Sequence, residues 1–312
     1  MVAPSMKAVS YDRFGGAEVM QVTEQPEPHI GPDSVLVKVV AAGINPVDYK
    51  VREGYLQGLI DTRFPAIPGW DVAGVVVKAG LDTPEFAEGD EILAYARKDT
   101  VQDGTLAEFV QVPVRTATKK PAGLDFDRAA ALPLAGLTAL QTVRRSGLGE
   151  GDTVLVHAAA GGVGSIAVQL AVRAGARVIG TASERNHDYL RELGAEPVSY
   201  GDGLVAAVRE LAPQGVDVIL DYVGGPAMDA TDELRREGGT VVSIADPRAR
   251  TEFGGQYAWV RPDPEGLAEL AQLAADGDLR IEVAASYPLD RAAEAYDELA
   301  SGHTRGKIVV TP

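Results

Sequence analysis

Two hydrophobic rhythms divide the chain. Through about the first 120 residues, short β-branched runs recur at 7–10, 34–42, 72–79, 91–94 and 107–112. Gly31-Pro32, Gly43, Pro65, Pro68-Gly69 and Glu88-Gly89-Asp90 punctuate them. Closely spaced short strands with turn signals predict a barrel-like or sandwich module.

The rhythm changes near Pro121. Residues 126–132 and 134–146 read as helices, followed by Gly147, Gly149 and Gly151. Strands then alternate with helices: strands at 153–158, 177–181, 196–199, 216–220 and 240–244, helices at 164–174, 183–193, 204–211 and 228–234. Such alternation predicts βαβ units and a parallel sheet. Val154-Leu155-Val156 and Val218-Ile219-Leu220 are apolar throughout, as strands covered on both faces require. A strand at 256–260, helices at 264–275 and 289–300, and a strand at 307–311 complete the reading. No repeat or low-complexity segment interrupts it.

With 312 residues the chain accommodates two domains, and 46% hydrophobic with 24% charged residues is ordinary for a globular protein. Acidic residues outnumber basic ones by 45 to 29, a net charge of −16, so the basic footprint of a nucleic-acid binder is absent. There is no cysteine, which excludes disulfides, thiolate metal ligands and a cysteine nucleophile. The four histidines, His29, His157, His187 and His303, show no metal-ligand spacing. No apolar run approaches the ~20 residues that span a bilayer, and residues 1–10 lack a signal-peptide core, so a cytoplasmic location is expected.

The chemistry concentrates at His157-Ala158-Ala159-Ala160-Gly161-Gly162-Val163-Gly164, between an apolar strand and an apolar helix. A dinucleotide-binding turn needs this context: Gly161 lets the backbone approach a pyrophosphate, Gly164 lets the helix pack on the strand, and the helix N-terminus offers free N–H groups. The first glycine of the usual pattern is Ala159 here. A tight turn without a ligand is the competing reading. The second strand ends in Thr181-Ala182-Ser183, with no acid for a ribose 2′-hydroxyl, and Arg185 follows. A hydroxyl and a guanidinium suit a 2′-phosphate, which points to NADPH over NADH. Glu184 opposes that reading, and Ser183 equally fits a helix cap.

On these and further motifs the chain resembles the zinc-independent quinone oxidoreductase (zeta-crystallin-like) branch of the medium-chain dehydrogenase/reductase superfamily. The matching segments are Ala42-Gly43-Ile44-Asn45-Pro46-Val47-Asp48-Tyr49-Lys50-Val51-Arg52-Glu53-Gly54, Pro68-Gly69-Trp70-Asp71-Val72-Ala73-Gly74 and Leu137-Thr138-Ala139. The glycine turn, Asp221-Tyr222-Val223-Gly224-Gly225 and Gly302-His303-Thr304-Arg305-Gly306-Lys307-Ile308-Val309 complete the set. The resemblance implies an α/β protein: a GroES-like β-rich catalytic domain over 1–122 and 278–312, and a Rossmann doubly wound parallel-sheet domain over 123–277. It also implies that Trp70 stands where zinc-dependent relatives carry a histidine ligand, so a carbonyl must be polarised by hydrogen-bond donors instead.

The same resemblance places Thr138 near the nicotinamide and Ser183, Arg185 and Tyr200 around the 2′-phosphate and adenine ribose. Ala160, Gly161, Gly162, Val163 and Gly164 form the phosphate turn. Val223, Gly224, Ile244 and Ala245 line the cofactor. Asn45 and Lys50 face nicotinamide and substrate as the catalytic pair. Asn45 also reads as a turn residue before Pro46, and Lys50 as a surface lysine paired with Asp48. Tyr49, Tyr55 and Trp259 suit either a substrate pocket or apolar packing.

The expected activity is hydride transfer from NADPH to a quinone or an α,β-unsaturated carbonyl, without a metal. A stand-alone enoyl-thioester reductase and a non-catalytic NADPH-binding protein are the alternatives. Edge pairing at 256–260 suggests a homodimer.

Overall fold

The computed structural model describes residues 4–312, and residues 1–3, where the reading of the N-terminus begins, lie outside them. The chain forms two compact units, one from residues up to Leu134 together with Pro262–Pro312, the other from Ala135–Arg261. Relative to boundaries at 122/123 and 277/278, the first unit also takes in the helices Phe126–Ala131 and Pro264–Ala275. The reason is packing: Phe126–Ala131 lies on the strands Ser34–Gly43 and Asp71–Ala79, and Pro264–Ala275 lies against Ala117–Lys119.

The first unit is built on a seven-stranded sheet. Its long strand Ser34–Gly43 pairs antiparallel with Asp71–Ala79 over most of its length, with Phe109–Pro113 at residues 34–38, and with Lys307–Thr311 at residues 42–43. Glu91–Tyr95 and Ala117–Lys119 extend one end, and Val283–Pro288 the other. Ser34–Gly43 is buried at nearly every position, because its core residues Val35, Val37 and Val39 share a cluster with Leu289 and Tyr296 from the C-terminal segment. The last strand thus belongs to the first unit.

Several elements escaped the hydrophobic pattern. Gln21–Pro26 pairs with Ser5–Ser10 in a two-stranded sheet and is polar on both faces. Val283–Pro288 is likewise exposed or half-buried throughout, and Asp61–Ile67 and Thr100–Asp103 bury only Ala66, Ile67 and Val101. Pro46–Arg52 is a seven-residue helix, too short to show a period. It is nucleated by Pro46 at its first position and by the Asp48 carboxylate, which accepts the Asn45 backbone N–H at 2.8 Å. Several expected elements differ in extent: the helix expected at 228–234 is only Thr231–Leu234, and the strand expected at 240–244 runs over Arg235–Ser243. The helix expected at 183–193 divides into a 3₁₀ turn, Glu184–Asn186, and a helix, His187–Glu192. The strand expected at 256–260 covers only Gln256–Tyr257.

The second unit carries a six-stranded parallel sheet. Its spatial order is Ala195–Val198, Arg177–Thr181, Thr153–Val156, Val216–Asp221, Arg235–Ser243 and Gln256–Tyr257. The strand that comes first in sequence sits in the middle, and the chain leaves it outward to one side and then to the other. That reversal is the topological switch point at which open α/β sheets bind ligands.

Candidate functional site

The glycine turn opens at the C-terminal end of the first strand of this sheet, at the switch point. His157 donates its backbone N–H to Leu220 O at 2.9 Å, and Ala159 donates to Thr181 O at 3.0 Å. The turn is thereby stitched to both neighbouring strands. Ala158 takes φ of 54°, the single non-glycine residue with positive φ among the described residues. Such a conformation costs of order 1–3 kcal/mol and persists only where the surroundings enforce it. Here its N–H is held by Thr181 Oγ1 at 3.1 Å.

The structure explains the departure at Ala159. Its methyl group points at Gly180 on the adjoining strand, and a Cβ there would lie 2.9 Å from it. The side chain missing from Gly180 makes room for the one present at Ala159. Gly164 performs its expected part: a Cβ there would lie 2.2 Å from Ala158 O, so only glycine lets the helix Gly164–Arg173 begin so close to the turn. At Gly161 a Cβ would meet nothing nearer than Ala158 O at 3.3 Å, leaving the outer side of that backbone open to a ligand. These features fit a pyrophosphate at the helix N-terminus.

Beyond the second strand, Ser183 is half-buried and accepts a long contact from Asn186 Nδ2 at 3.4 Å. Arg185 is exposed in the turn Glu184–Asn186, and exposed Tyr200 follows the strand Ala195–Val198. All three belong to loops at the C-terminal edge of the sheet. The expected 2′-phosphate group is therefore collected on one side of the switch point.

On the other side, Val223 and Gly224 follow Asp221, and Ile244 and Ala245 follow Ser243. Gly224 has φ of 72°, and a Cβ on it would lie 3.2 Å from the Ala245 side chain, so the two loops touch. Thr138 is buried on the helix Pro133–Ser146. One turn on, the Thr142 hydroxyl shares a 2.7 Å hydrogen bond with Tyr222, which fastens that helix to the Val223 loop.

His157 is buried between Thr181 and the Asp221 carboxylate. Burial lowers its pKa, with the opposing pull of Asp221 second.

Asn45 lies in the first unit within a buried polar cluster. Its side-chain N–H donates to Asp71 Oδ2 at 2.9 Å, and its side-chain oxygen accepts from the Lys307 ammonium. Lys307 also donates to Ile44 O at 2.7 Å and stands 4.0 Å from Asp71. Asp71 accepts the Leu134 N–H at 2.9 Å, and Tyr296 donates its hydroxyl to Asp48 at 3.2 Å. Two acids thus share one buried base. Burial pushes Asp48 up to about 7 and Asp71 up to about 6, and it pushes Lys307 down.

Lys50 is not part of that cluster. Its side chain is exposed, and Asp48 turns inward to the Asn45 N–H and Tyr296 instead of pairing with it. Asp48, Asp71, Lys307 and Tyr296 were missed as a polar cluster. Asp48, Asp71 and Lys307 stood in the matched motifs, but no local signal joined them. Of the candidate pocket aromatics, Tyr55 is exposed, Tyr49 packs against the core of the first unit, and Trp259 is at the rim of the second.

Trp70 is buried and packs edge-on against Tyr95, ring centroids 6.2 Å apart. A cavity of about 10 Å³, the size of one water, adjoins it and is bordered by Tyr11, Asp48, Val51, Pro68, Gly69 and Val101.

Residues 31–122 match the family described as the alcohol dehydrogenase GroES-like domain, and residues 193–310 match the zinc-binding dehydrogenase family. The second description names zinc, and the donor set does not fit it. The chain has no cysteine, an indole occupies position 70, and no group of three or more His, Cys, Asp or Glu among the described residues can hold a metal ion.

Whole-chain relatives are specific. The chain is 35% identical to an NADPH-dependent alkenal/one oxidoreductase of Arabidopsis thaliana, covering all of this chain and 81% of that one. It is 34% identical to a 2-methylene-furan-3-one reductase of Solanum lycopersicum, again over the whole chain and 80% of the relative. Among solved structures, a quinone oxidoreductase from Coxiella burnetii superposes with a TM-score of 0.89 at 33% identity, covering 99% of this chain and all of that one. The chain belongs to the zinc-independent quinone oxidoreductase branch of the medium-chain dehydrogenase/reductase superfamily.

Proposed function

We propose that this chain is an NADPH-dependent reductase of quinones or α,β-unsaturated carbonyls. The observation that carries the reading is the glycine turn at the switch point, with Gly164 closed against Ala158 O and the outer side of Gly161 open. The relatives named above, an alkenal/one oxidoreductase and a 2-methylene-furan-3-one reductase, support the acceptor class.

NADPH, when bound, supplies a hydride. The turn would hold the pyrophosphate: Ala160, Gly162, Val163 and Gly164 would present backbone N–H groups, and Gly161, whose own N–H donates to Ala158 O at 3.0 Å, would leave room for it. Ser183, Arg185 and Tyr200 hold the 2′-phosphate side. Thr138, Val223, Gly224, Ile244 and Ala245 hold the nicotinamide side. With NADPH bound, reduction of the acceptor would leave negative charge on its carbonyl oxygen, and a proton from solvent would complete the reaction. Asn45 retains one side-chain N–H beyond that given to Asp71, and Lys50 offers an exposed ammonium. Both are donors for that oxygen.

The test is NADPH oxidation with 1,4-benzoquinone, a short-chain enal and a crotonyl thioester in parallel. Turnover of quinone or enal is the expected result. Turnover of the thioester alone moves the chain to enoyl-thioester reduction. Tight NADPH binding with no turnover makes it a binding protein.

We also propose a cytoplasmic homodimer. Tyr257, on the last strand of the parallel sheet, and Trp259, two residues beyond it, are exposed and support edge pairing. Light scattering of the purified chain checks the dimer, and imaging of a tagged chain checks the location.

A further inference from the structure

The strands Val216–Asp221 and Arg235–Ser243 end side by side, with Asp221 and Ser243 in register. Both side chains are completely buried. Asp221 Oδ1 accepts the N–H groups of Val223 at 3.1 Å and Gly224 at 2.9 Å, and its Oδ2 accepts the Ser243 hydroxyl at 2.5 Å. Ser243 Oγ in turn accepts the N–H groups of Ala245 at 3.0 Å and Asp246 at 2.8 Å. Asp246 accepts Gly225 N–H at 3.2 Å. Arg248 clasps Asp246 at 2.8 Å, and donates to Gly225 O at 2.7 Å and Asp229 at 2.8 Å.

One chain of side chains therefore ties down five loop amides, at 223, 224, 225, 245 and 246. We infer that Asp221 and Ser243, with Arg248 as an outer clasp, are positioning residues for the nicotinamide half of NADPH. The inference rests on the reading that Val223, Gly224, Ile244 and Ala245 face the cofactor. A doubly wound sheet binds one nucleotide half on each side of the switch point. Ser183, Arg185 and Tyr200 belong to the other side, so this network governs one half alone.

The donor count makes the identities strict. Asp221 receives three donors on its two side-chain oxygens. Ser243 gives its one proton and fills both lone pairs. Asparagine at 221 has the same shape, but its NH₂ faces either the Ser243 hydroxyl or the two loop N–H groups. A donor then confronts a donor, and the loops shift.

The experiment compares Asp221→Asn, Ser243→Ala and Arg248→Gln with the wild-type protein. Titration calorimetry measures NADPH and adenosine 2′,5′-bisphosphate, which carries the adenine half alone. Steady-state kinetics with benzoquinone gives kcat and KM. The expected result is NADPH affinity or kcat lower by about tenfold to a hundredfold in the Asp221 and Ser243 variants, the scale of a displaced reacting group. A smaller loss is expected for Arg248→Gln. Affinity for the bisphosphate stays within twofold in all three. Parallel loss of both ligands in Arg248→Gln, or no change in any variant, overturns the inference. If the buried variants do not fold, Arg248→Gln decides alone, because its side chain is at the surface. Failure of the wild-type protein to bind either ligand refutes the cofactor reading itself, which is a different result.

Discussion

The ammonium of Lys307 donates to the side-chain oxygen of Asn45, a residue 262 positions earlier in the chain. The contact exists because the last strand pairs with Ser34–Gly43, Val309 opposite Gly43. It delivers one positive charge to an interior that holds Asp48 and Asp71. Replacing Lys307 by Met leaves both acids without their base. Breaking a buried pair from one side costs about 3–5 kcal/mol. Denaturant unfolding of Lys307→Met is expected to show a loss of that order, and Lys307→Met with Asp71→Asn a smaller one. Equal losses would separate Lys307 from the acid cluster.

The buried acids make stability depend on pH. Both bind their protons more tightly folded than unfolded, Asp48 at about 7 and Asp71 at about 6, because burial disfavours the charged form. Their contribution is complete below about pH 4 and is lost as pH rises through those values. Asp48→Asn keeps an acceptor for Asn45 N–H and Tyr296 while removing one titration. Melting temperature against pH should therefore be flatter between pH 4 and 7 in Asp48→Asn than in the natural sequence. Parallel curves would count against the buried titration.

Arg185 sits in the turn Glu184–Asn186, just beyond the strand Arg177–Thr181. Arg185→Ala is expected to weaken NADPH about tenfold to a hundredfold while leaving NADH nearly unchanged, since a charge-assisted bond to phosphate contributes roughly 1.5–3 kcal/mol. Competition titrations with both nucleotides check this. Equal effects on the two remove Arg185 from the phosphate site.

Two glycines of the turn, Gly161 and Gly164, should separate folding from binding. In Gly164→Ala the new methyl meets Ala158 O at 2.2 Å, backbone against backbone, so a stability loss of about 1–3 kcal/mol is expected. In Gly161→Ala it meets that oxygen only at 3.3 Å. That variant should melt near the unaltered protein and lose NADPH affinity. Weak folding with intact binding in Gly161→Ala would reverse the assignment.

Much was legible before the fold was known, and for local reasons. Apolar runs and alternating helices announced the parallel sheet, and the glycine turn sat between the right strand and helix. Thr181-Ala182-Ser183 and Arg185 are neighbours in sequence, so the choice of NADPH needed no tertiary contact. What remained hidden was nonlocal or short. Helix Pro46–Arg52 has too few residues to show a period, and Gln21–Pro26 has no apolar face. Ala159 looked like a defect in the turn until Gly180 was found beneath its methyl group.

The residues on the chain thus determined the parallel sheet, the glycine turn between its strand and helix, and the absence of thiolate chemistry. Only the tertiary structure set Lys307 on Asn45, turned Asp48 away from Lys50, and joined Asp221 to Ser243. Periodicity and turn chemistry are written over a few consecutive residues. A buried polar cluster is assembled by strand pairing between distant segments, where burial removes water and leaves each charge dependent on its neighbours.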